Sequence, residues 1–474
     1  MSEVYDLVII DPLVETNYPK HTKNNINVGI LSIASYVYNN GYKVKLLDFQ
    51  HEKNFLSELL DFVKNNTVKI IAINCTSSFS YGSLMTAVKA LSDFKETLVI
   101  VGGQHVIGLR ENVFSQIPEL KYACFDEGES TVLHLIRNFP DSDYLNSPGL
   151  VYKSNNKIVV NPPKSLSFEQ LGSLNYKLLN NYSQKIPTVE ESRGCPFRCN
   201  FCVNSDSKQK IKIKKWQNVI AEILEVYKLY NEEKLFVNIG CSTFGMDESN
   251  TLKLLENLIP HKDKLLIQAY TRCDINYEKW IEYLKQLDIT SVYFGVESAS
   301  EEILLRMNKT RNPKEYLCRS QELIDLFYEN GVKLWCNFII GYIGETPETL
   351  SKTIEFILKN KKKIGFLTCS ALYAFPGAEI FRNLKHYEKK YGTSISLADS
   401  NLEWDHLKIN PSFDFSYKQM FALSKILPKI VNSEEDFMRV YSWRWQGLDK
   451  DLTQLDKKMN YMDKTELPYA LFNK

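Results

Sequence analysis

Three cysteines lie within eight residues of one another, at Cys195, Cys199 and Cys202, with the spacing CxxxCxxC. They follow directly after a predicted strand at 187–192, so a single loop can turn all three thiolates towards a common centre. Three soft thiolate ligands suit an iron–sulfur cluster. Because a cubane cluster has four irons, one iron would lack a protein ligand and stay open to a small molecule. A structural zinc site that lacks one ligand is the alternative interpretation.

With Phe201 directly before the last cysteine, this motif resembles the signature of the radical SAM superfamily. The resemblance extends over about residues 190–380 and includes four further segments: GVES (295–298), LLRMNK (304–309), FIIGYIGET (338–346) and YAFPG (373–377). It implies that the three cysteines hold a [4Fe–4S] cluster and that S-adenosylmethionine (SAM) binds the fourth iron through its amino and carboxylate groups. It also implies that the reduced cluster cleaves SAM to methionine and a 5′-deoxyadenosyl radical.

The same resemblance implies SAM contacts from Phe201, Ser242, Arg272, Glu297 and Gly341. Arg272 and Glu297 end the third and fourth predicted barrel strands, near the methionine and ribose of SAM; the alternative is a salt bridge between the two that closes the barrel rim. Ser242 stands where relatives often carry an acidic pair, which Cys241–Ser242 replaces here. We expect Ser242 to hydrogen-bond the SAM amino group. Gly341 permits a close backbone approach to the adenine or ribose, unless it only forms a turn.

Short apolar segments alternate with amphipathic ones on both sides of the cysteine motif. In the first 140 residues, we predict strands at 4–10, 42–49, 68–75, 97–103 and 120–125, and helices near 28–39, 53–64, 82–93 and from about 130. From residue 186, we predict strands at 187–192, 234–240, 264–271, 291–298, 332–341 and 364–373, and helices near 216–230, 248–259, 276–286, 313–330 and 347–360. Such alternation is typical of parallel sheets covered by helices.

The predicted fold class is therefore α/β, with four parts. They are an N-terminal Rossmann-like parallel-sheet domain (1–140), a linker or hairpin (141–185), a radical SAM partial (β/α)6 barrel (186–385) and a small, mainly helical C-terminal cap (386–474). In barrels of this kind, the chemistry takes place at the C-terminal ends of the strands. An aromatic group in the cap is expected to close the barrel or cover the substrate: Trp404, Trp443, Trp445, Tyr461 and Tyr469.

The N-terminal part resembles the cobalamin-binding domain that precedes the barrel in many radical SAM enzymes. The segments that carry this resemblance are 28–49, 73–84, VIVGGQHV (99–106) and FDEGESTVLHLI (125–136). A ligand of such a sheet lies beyond the C-terminal strand ends, at the topological switch point. The resemblance implies that Thr76, Ser77 and Phe79 line the corrin. Gly102 and Gly103 would allow a close approach to the corrin or its nucleotide tail, or form a tight strand-to-helix turn.

One departure concerns the lower ligand of cobalt. Classical cobalamin domains carry Asp-x-His-x-x-Gly after the first strand, whereas residues 11–16 here read DPLVET, with neither the His nor the Gly. Many radical SAM members also lack this histidine, so cobalamin remains the expected cofactor. The departure leaves open that the domain is only a scaffold or binds substrate.

Composition excludes several other classes of protein. The 474 residues carry 58 Lys and Arg against 57 Asp and Glu, a formal charge of +1, which argues against a dedicated nucleic-acid binder. No apolar run approaches the roughly 18 residues that span a bilayer, and the first residues lack the features of a signal peptide. We therefore expect a cytoplasmic protein whose ten cysteines are reduced.

These observations predict a cobalamin-dependent radical SAM enzyme that methylates an unactivated carbon in a biosynthetic pathway. The expected partners are a small-molecule or peptide substrate and an electron donor such as flavodoxin or ferredoxin. One alternative is a radical SAM rearrangement, cyclisation or epimerisation without cobalamin. A second is a non-catalytic iron–sulfur or cobalamin-binding regulatory protein. The sequence names neither the substrate nor a further catalytic residue.

Overall fold

Two mainly parallel sheets, each covered by helices, dominate the fold. The computed structural model describes residues 2–14, 25–155, 157–205, 210–287, 291–395 and 407–432. The first part of the chain contains β1 (Val4–Asp11), α1 (Val28–Asn39), β2 (Val44–Asp48), α2 (Phe55–Asn65), β3 (Thr67–Asn74), α3 (Tyr81–Leu91), β4 (Leu98–Gly102), α4 (Gln104–Leu109), α5 (Val113–Gln116), β5 (Tyr122–Cys124), α6 (Glu129–Asn138), β6 (Leu150–Ser154), β7 (Lys157–Val160) and α7 (Phe168–Leu171). The second part contains β8 (Thr188–Glu190), β9 (Ser192–Arg193), β10 (Lys212–Ile213), α8 (Trp216–Tyr230), β11 (Leu235–Gly240), α9 (Glu248–Leu258), β12 (Leu265–Arg272), α10 (Ile281–Leu284), β13 (Ser291–Glu297), α11 (Glu301–Arg306), α12 (Pro313–Glu329), β14 (Trp335–Ile340), α13 (Pro347–Lys359), β15 (Phe366–Ala371), α14 (Glu379–Arg382), α15 (Leu384–Tyr391), β16 (Ser394–Ile395), β17 (Ile409–Asn410) and α16 (Tyr417–Val431).

The N-terminal sheet has seven strands in the order β2-β1-β3-β4-β5-β6-β7. The first five are parallel, and the hairpin β6–β7 from the predicted linker adds two antiparallel strands at one edge. Because successive strand residues point to opposite faces, Leu7 and Ile9 of β1 belong to one core and Val8 and Ile10 to another. Burial on both faces explains why residues 7–10 of β1 are all apolar. The strand order reverses between β1 and β3, and this marks the switch point.

The second sheet contains six parallel strands in the order β15-β14-β13-β12-β11-β8. Since β8 and β15 are the two ends of this order, the barrel is partial, and the predicted α/β fold class is confirmed.

The helix predicted near 276–286 differs from the observed structure. A 3₁₀ turn at Glu278–Trp280 buries the Trp280 ring against Phe244, and only Ile281–Leu284 is α-helical. Helix α11 was not predicted; Ser300 caps it by accepting a hydrogen bond from the Ile303 N–H.

Helix α16 packs on β15 and β14 at the open side of the barrel. Beyond its end, the Asn432 side chain accepts a hydrogen bond from the Leu367 N–H (2.7 Å) and donates one to the Leu367 carbonyl (3.0 Å). The side chain thus pairs with both backbone groups of an edge-strand residue that would otherwise be open to another strand. The five aromatic residues predicted to form part of the cap lie outside the described residues.

The domain boundaries at 140, 185 and 385 stay predictions. Within the described ranges, no helix combines the length and the apolar character that crossing a membrane requires.

Candidate functional site

The cysteine loop begins at Gly194, whose φ of +82° starts the turn out of β9. Hydrogen bonds to later parts of the chain hold it in place. The Asn200 N–H donates to the Met307 carbonyl (2.8 Å), its side-chain amide donates to the Arg306 carbonyl (2.9 Å), and its carbonyl accepts from the Ile380 N–H (3.1 Å). The end of α11 and the start of α14 therefore fix the loop at the C-terminal rim of the barrel.

The three cysteine thiols lie close to one another within this loop. Cys199 is buried, while Cys195 and Cys202 are partly exposed. Burial raises the pKa of Cys202 to about 11, and the neighbouring Cys199 and Cys195 add to the increase. Among the described residues, no group of three or more His, Cys, Asp or Glu is arranged to hold one metal ion. A [4Fe–4S] cluster binds each thiolate at a different iron, so three free cysteines on one loop fit a cluster whose fourth iron has no protein ligand.

Arg272 lies at the end of β12 and is only 5% exposed. Its guanidinium donates to both oxygens of Asp274 (2.8 and 2.7 Å), to the Lys309 carbonyl (2.5 Å) and to the Cys199 sulfur (3.3 Å). It also lies over the ring of Phe197, 3.7 Å from the centroid. Burial alone would lower the pKa of Arg272, but the Asp274 carboxylate reverses this effect and raises it, so the guanidinium stays charged.

Glu297 lies at the end of β13, just after a register shift in the strand, and has a φ of +70°. A positive φ is uncommon for a residue other than glycine, and such strain is concentrated at functional sites. The buried carboxylate accepts hydrogen bonds from the Lys309 ammonium (3.0 Å) and the Asn337 amide (3.0 Å). A Cβ at Gly295 would lie 2.3 Å from a Glu297 oxygen, so only glycine leaves room for this carboxylate.

The predicted alternative of a salt bridge between Arg272 and Glu297 is wrong. Arg272 pairs with Asp274, and Glu297 pairs with Lys309. The physical reason is that each side chain has an oppositely charged partner closer along the chain: Asp274 lies two residues after Arg272, and Lys309 lies just after helix α11, which follows β13.

The other residues predicted to contact SAM have different surroundings. The Phe201 ring packs edge-on against Tyr342, at 6.4 Å between centroids, and Ser242 is exposed at the end of β11. Gly341 has a φ of +77°, and a Cβ there would lie 2.3 Å from the Met420 side chain. The close approach that Gly341 permits is therefore to helix α16, while its contact with SAM stays a prediction.

Sequence reasoning missed four residues of this site. Asp274 and Lys309 follow Arg272 and Glu297 as their charge partners, and Lys309 ends the LLRMNK segment, a signal that was available. Thr243 lies 3.5 Å from the Cys195 sulfur, next to the predicted Ser242. Asn337 is brought to Glu297 by the pairing of β14 with β13, which no local pattern indicates.

The loop after β3 carries three of the predicted cobalamin contacts. The Thr76 hydroxyl donates to the Asn74 side chain (2.9 Å), and Ser77 caps the following turn. The Phe79 ring packs edge-on against Tyr373 and Phe375, at 5.9 and 6.2 Å between centroids. This loop of the N-terminal sheet therefore reaches the segment that follows the last barrel strand.

The two glycines after β4 have unequal surroundings. Gly103 has a φ of +98°, and a Cβ there would lie 2.6 Å from the Cys75 carbonyl carbon. The His105 N–H also donates to the Cys75 carbonyl (3.0 Å), so the tight strand-to-helix turn accounts for Gly103. At Gly102, a Cβ would make only ordinary contacts, of 3.7 Å or more. Contact of either glycine with cobalamin stays a prediction.

A small cavity lies at the ends of β1 and β2, beside the switch point. Asp11 lines it and accepts hydrogen bonds from the Asn74 amide (2.8 Å) and the Gln50 amide (2.6 Å). Burial, followed by the nearby Asp48 carboxylate, raises the pKa of Asp11 to about 6. Two residues after Asp11, where a cobalt-binding histidine would stand, Leu13 packs against the core. This cavity is far too small for a corrin, and a corrin bound along the polar loop after β3 would receive no imidazole from this position.

Two family models match the chain. The model described as the radical SAM superfamily matches residues 189–357, and the model described as the B12 binding domain matches residues 22–136. Together they cover the barrel strands β11–β14, the cysteine loop, and the parallel strands β2–β5 of the N-terminal sheet.

Two relatives match about two thirds or more of this chain. An uncharacterized methyltransferase of Pyrococcus horikoshii is 26% identical over 368 residues, which are 75% of this chain and 77% of that protein. An anaerobic magnesium-protoporphyrin IX monomethyl ester cyclase of Rubrivivax gelatinosus is 24% identical over 344 residues, 68% of this chain and 60% of that protein.

Two solved structures have the same fold. The radical SAM methyltransferase TsrM of Kitasatospora setae, with cobalamin and a [4Fe–4S] cluster bound, matches with a TM-score of 0.68 and 16% identity, over 84% of this chain and 78% of that one. The cobalamin-dependent SAM radical enzyme OxsB, with aqua-cobalamin and SAM bound, matches with a TM-score of 0.72 and 17% identity, over 98% of this chain and 71% of that one.

Proposed function

We propose that this chain, which carries a radical SAM domain and an N-terminal B12-binding domain, methylates an unactivated carbon in a biosynthetic pathway. These domains make it an enzyme with a [4Fe–4S] cluster, SAM and cobalamin as cofactors. The bound cluster and SAM supply a 5′-deoxyadenosyl radical, and cobalamin supplies the methyl group. The proposed substrate is a small molecule or a peptide, and the proposed electron donor is a flavodoxin or ferredoxin.

One observation carries the proposal: the cysteine loop and the N-terminal domain meet at Gly377. A Cβ at Gly377 would lie 3.1 Å from the Val203 carbonyl oxygen, one residue after the last cysteine. It would also lie 3.2 Å from the Gly108 Cα, in helix α4 of the N-terminal domain. Methylation by a radical route requires the methyl donor and the radical to reach one substrate carbon, and this contact brings the two cofactor domains together.

Side chains of this chain would keep water away from the reacting carbon. The rings of Phe79, Tyr373 and Phe375 pack together where the N-terminal domain meets the barrel. Aromatic clusters of this kind exclude solvent and are held in fixed orientations by edge-on contacts. A radical intermediate is protected in such surroundings, because fewer groups are available to quench it.

The alternative of a rearrangement, cyclisation or epimerisation without cobalamin is less well supported. It leaves the match of residues 22–136 to the B12 binding domain without a role. A cytoplasmic location is also part of the proposal, since none of the ten cysteines forms a disulfide.

Anaerobic titration of the cluster-reconstituted protein with cobalamin tests the proposal. We expect stoichiometric retention after desalting, with a base-off absorbance spectrum because Leu13 replaces the imidazole ligand. Thr76→Trp should abolish retention, because Thr76 is exposed on the loop predicted to line the corrin. The matched control is Thr86→Trp, an exposed threonine on α3. If wild-type protein retains no cobalamin yet still cleaves SAM, the methyl-transfer proposal is wrong and the rearrangement class is favoured.

A second prediction concerns Glu297. Glu297→Gln removes the charge that Lys309 neutralises but preserves the shape of the side chain. We expect SAM affinity to fall by roughly tenfold, the effect of weakening one charged hydrogen bond, while the iron content stays unchanged. Equilibrium dialysis with radiolabelled SAM measures the affinity. Thr368→Val is the control, since Thr368 contacts Asn337 rather than Glu297. Unchanged SAM affinity in Glu297→Gln would give this residue a structural role only.

A further inference from the structure

Arg272 makes its contacts with the cysteine loop and with its own neighbours. An arginine has five N–H groups, and four of those of Arg272 have acceptors among the described residues: two on Asp274, one on the Lys309 carbonyl and one on the Cys199 sulfur. The Phe197 ring, 3.7 Å from the guanidinium carbon, covers one face of the group. The side chain is thus fully oriented before any ligand binds. Only one of its N–H groups is left to donate a hydrogen bond to the carboxylate of SAM.

We propose that Arg272 is a positioning residue that holds the cluster ligand Cys199 and raises the reduction potential of the cluster, instead of contacting SAM. The proposal rests on the proposed function only to the extent that the cysteine loop holds a [4Fe–4S] cluster. Hydrogen bonds to the ligand sulfurs and nearby charge are known means by which proteins set cluster potentials.

The direction of the effect follows from charge. Adding one electron makes the cluster more negative, so a positive group that donates an N–H to a ligand sulfur stabilises the reduced state. Asp274 opposes this effect, but it binds the Nε and Nη2 side of the guanidinium, whereas Nη1 faces Cys199 at 3.3 Å. Asp274 is also more exposed than Arg272, with 25% of its side chain accessible against 6%, so solvent screens its charge more. The positive charge of the Arg272 guanidinium therefore has a larger electrostatic effect at the Cys199 sulfur than the negative charge of Asp274.

The neighbouring Thr243 does not provide the same effect at Cys195. Its hydroxyl lies 3.5 Å from the Cys195 sulfur, but it has one proton, which it donates to the Ser242 carbonyl at 2.8 Å. Arg272 is therefore the charged side chain that donates to a cluster cysteine in the described residues.

A redox titration monitored by electron paramagnetic resonance, with no SAM, cobalamin or substrate present, tests the proposal. Arg272→Gln should move the midpoint potential of the one-electron reduction to a more negative value and leave SAM affinity within about twofold. Arg272→Lys, which keeps the charge, should restore part of the shift. Asp274→Asn should move the potential in the opposite direction, because it removes the opposing negative charge and leaves Arg272 in place.

Each outcome separates this proposal from the proposed function. An unchanged potential in both Arg272→Lys and Asp274→Asn overturns the role of Arg272, even if Arg272→Gln fails to fold. A tenfold loss of SAM affinity with no change in potential also overturns it and assigns Arg272 to SAM. Absence of any reducible cluster in the wild-type protein would instead contradict the proposed function.

Discussion

The Cys199→Ala variant is expected to lose both its iron–sulfur cluster and all SAM cleavage. Cys199 is the most buried of the three loop cysteines and accepts a hydrogen bond from Arg272. Two thiolates cannot replace three, because a second iron would then lack its protein ligand. We expect the broad visible absorbance of the reconstituted protein to disappear, iron content to fall to background, and 5′-deoxyadenosine to be absent from reduced reaction mixtures analysed by liquid chromatography.

Cys273→Ala is the matched control for this experiment. Cys273 is also fully buried in the barrel, where its thiol contacts the Gly295 carbonyl, but it is not part of the loop. Removing its sulfur leaves only a small cavity, which lowers stability slightly and leaves the cluster in place. SAM cleavage by Cys199→Ala, or loss of the cluster in Cys273→Ala, would contradict the assignment of the three cysteines.

Local patterns predicted the strands that carry this site, but they missed helix α11, whose end holds the cysteine loop. The helices predicted at 28–39 and 216–230 are α1 and α8, with the same bounds, because each carries an apolar stripe of helical period. The six predicted barrel strands are also present, in one sheet. The cysteine spacing indicated an iron–sulfur site without any knowledge of the fold, since all three ligands lie on one loop.

The partners of the site residues were harder to predict, because they depend on contacts between distant parts of the chain. Arg272 and Glu297 were expected to contact SAM or, alternatively, to pair with each other, and nothing in the strand patterns revealed Asp274 or Lys309 as their partners. Likewise, Gly341 was interpreted from its conformational freedom alone. Its φ is indeed positive, but what lies against it is Met420, almost eighty residues later.

A buried ion-pair network links the two cofactor domains through Arg193, two residues before the first loop cysteine. The Arg193 guanidinium donates to Glu190 (2.8 and 3.0 Å), to Glu129 (2.8 Å) and to the Ser32 hydroxyl (2.8 Å). Glu129 and Ser32 belong to helices α6 and α1 of the N-terminal domain. Only 11% of the Arg193 side chain is exposed. The residue directly before the cysteine loop therefore has hydrogen bonds to both domains.

Arg193→Met is expected to loosen the contact between the domains and to destabilise the protein. The substitution leaves Glu129 and Glu190 buried without their cation, and breaking a buried ion pair in this way typically costs about 3–5 kcal/mol. We expect faster hydrogen exchange of the α6 amides, measured by mass spectrometry, and a lower midpoint of chemical unfolding. Arg193→Lys, which keeps the charge but loses the planar fork, should have an intermediate effect.

The comparison with Lys214→Met shows whether this effect comes from the link between domains or from the loss of any buried charge. Lys214 and Glu222 form an equally buried pair, at 2.8 Å, but both residues lie in the second part of the chain. Lys214→Met should therefore lower the unfolding midpoint without speeding exchange in α6. Equal exchange rates of α6 in the two variants would mean that Arg193 does not couple the domains. Faster exchange in Arg193→Met alone would mean that the cysteine loop and the N-terminal domain are held together at this residue, because the Arg193 guanidinium donates directly to Glu129 of α6.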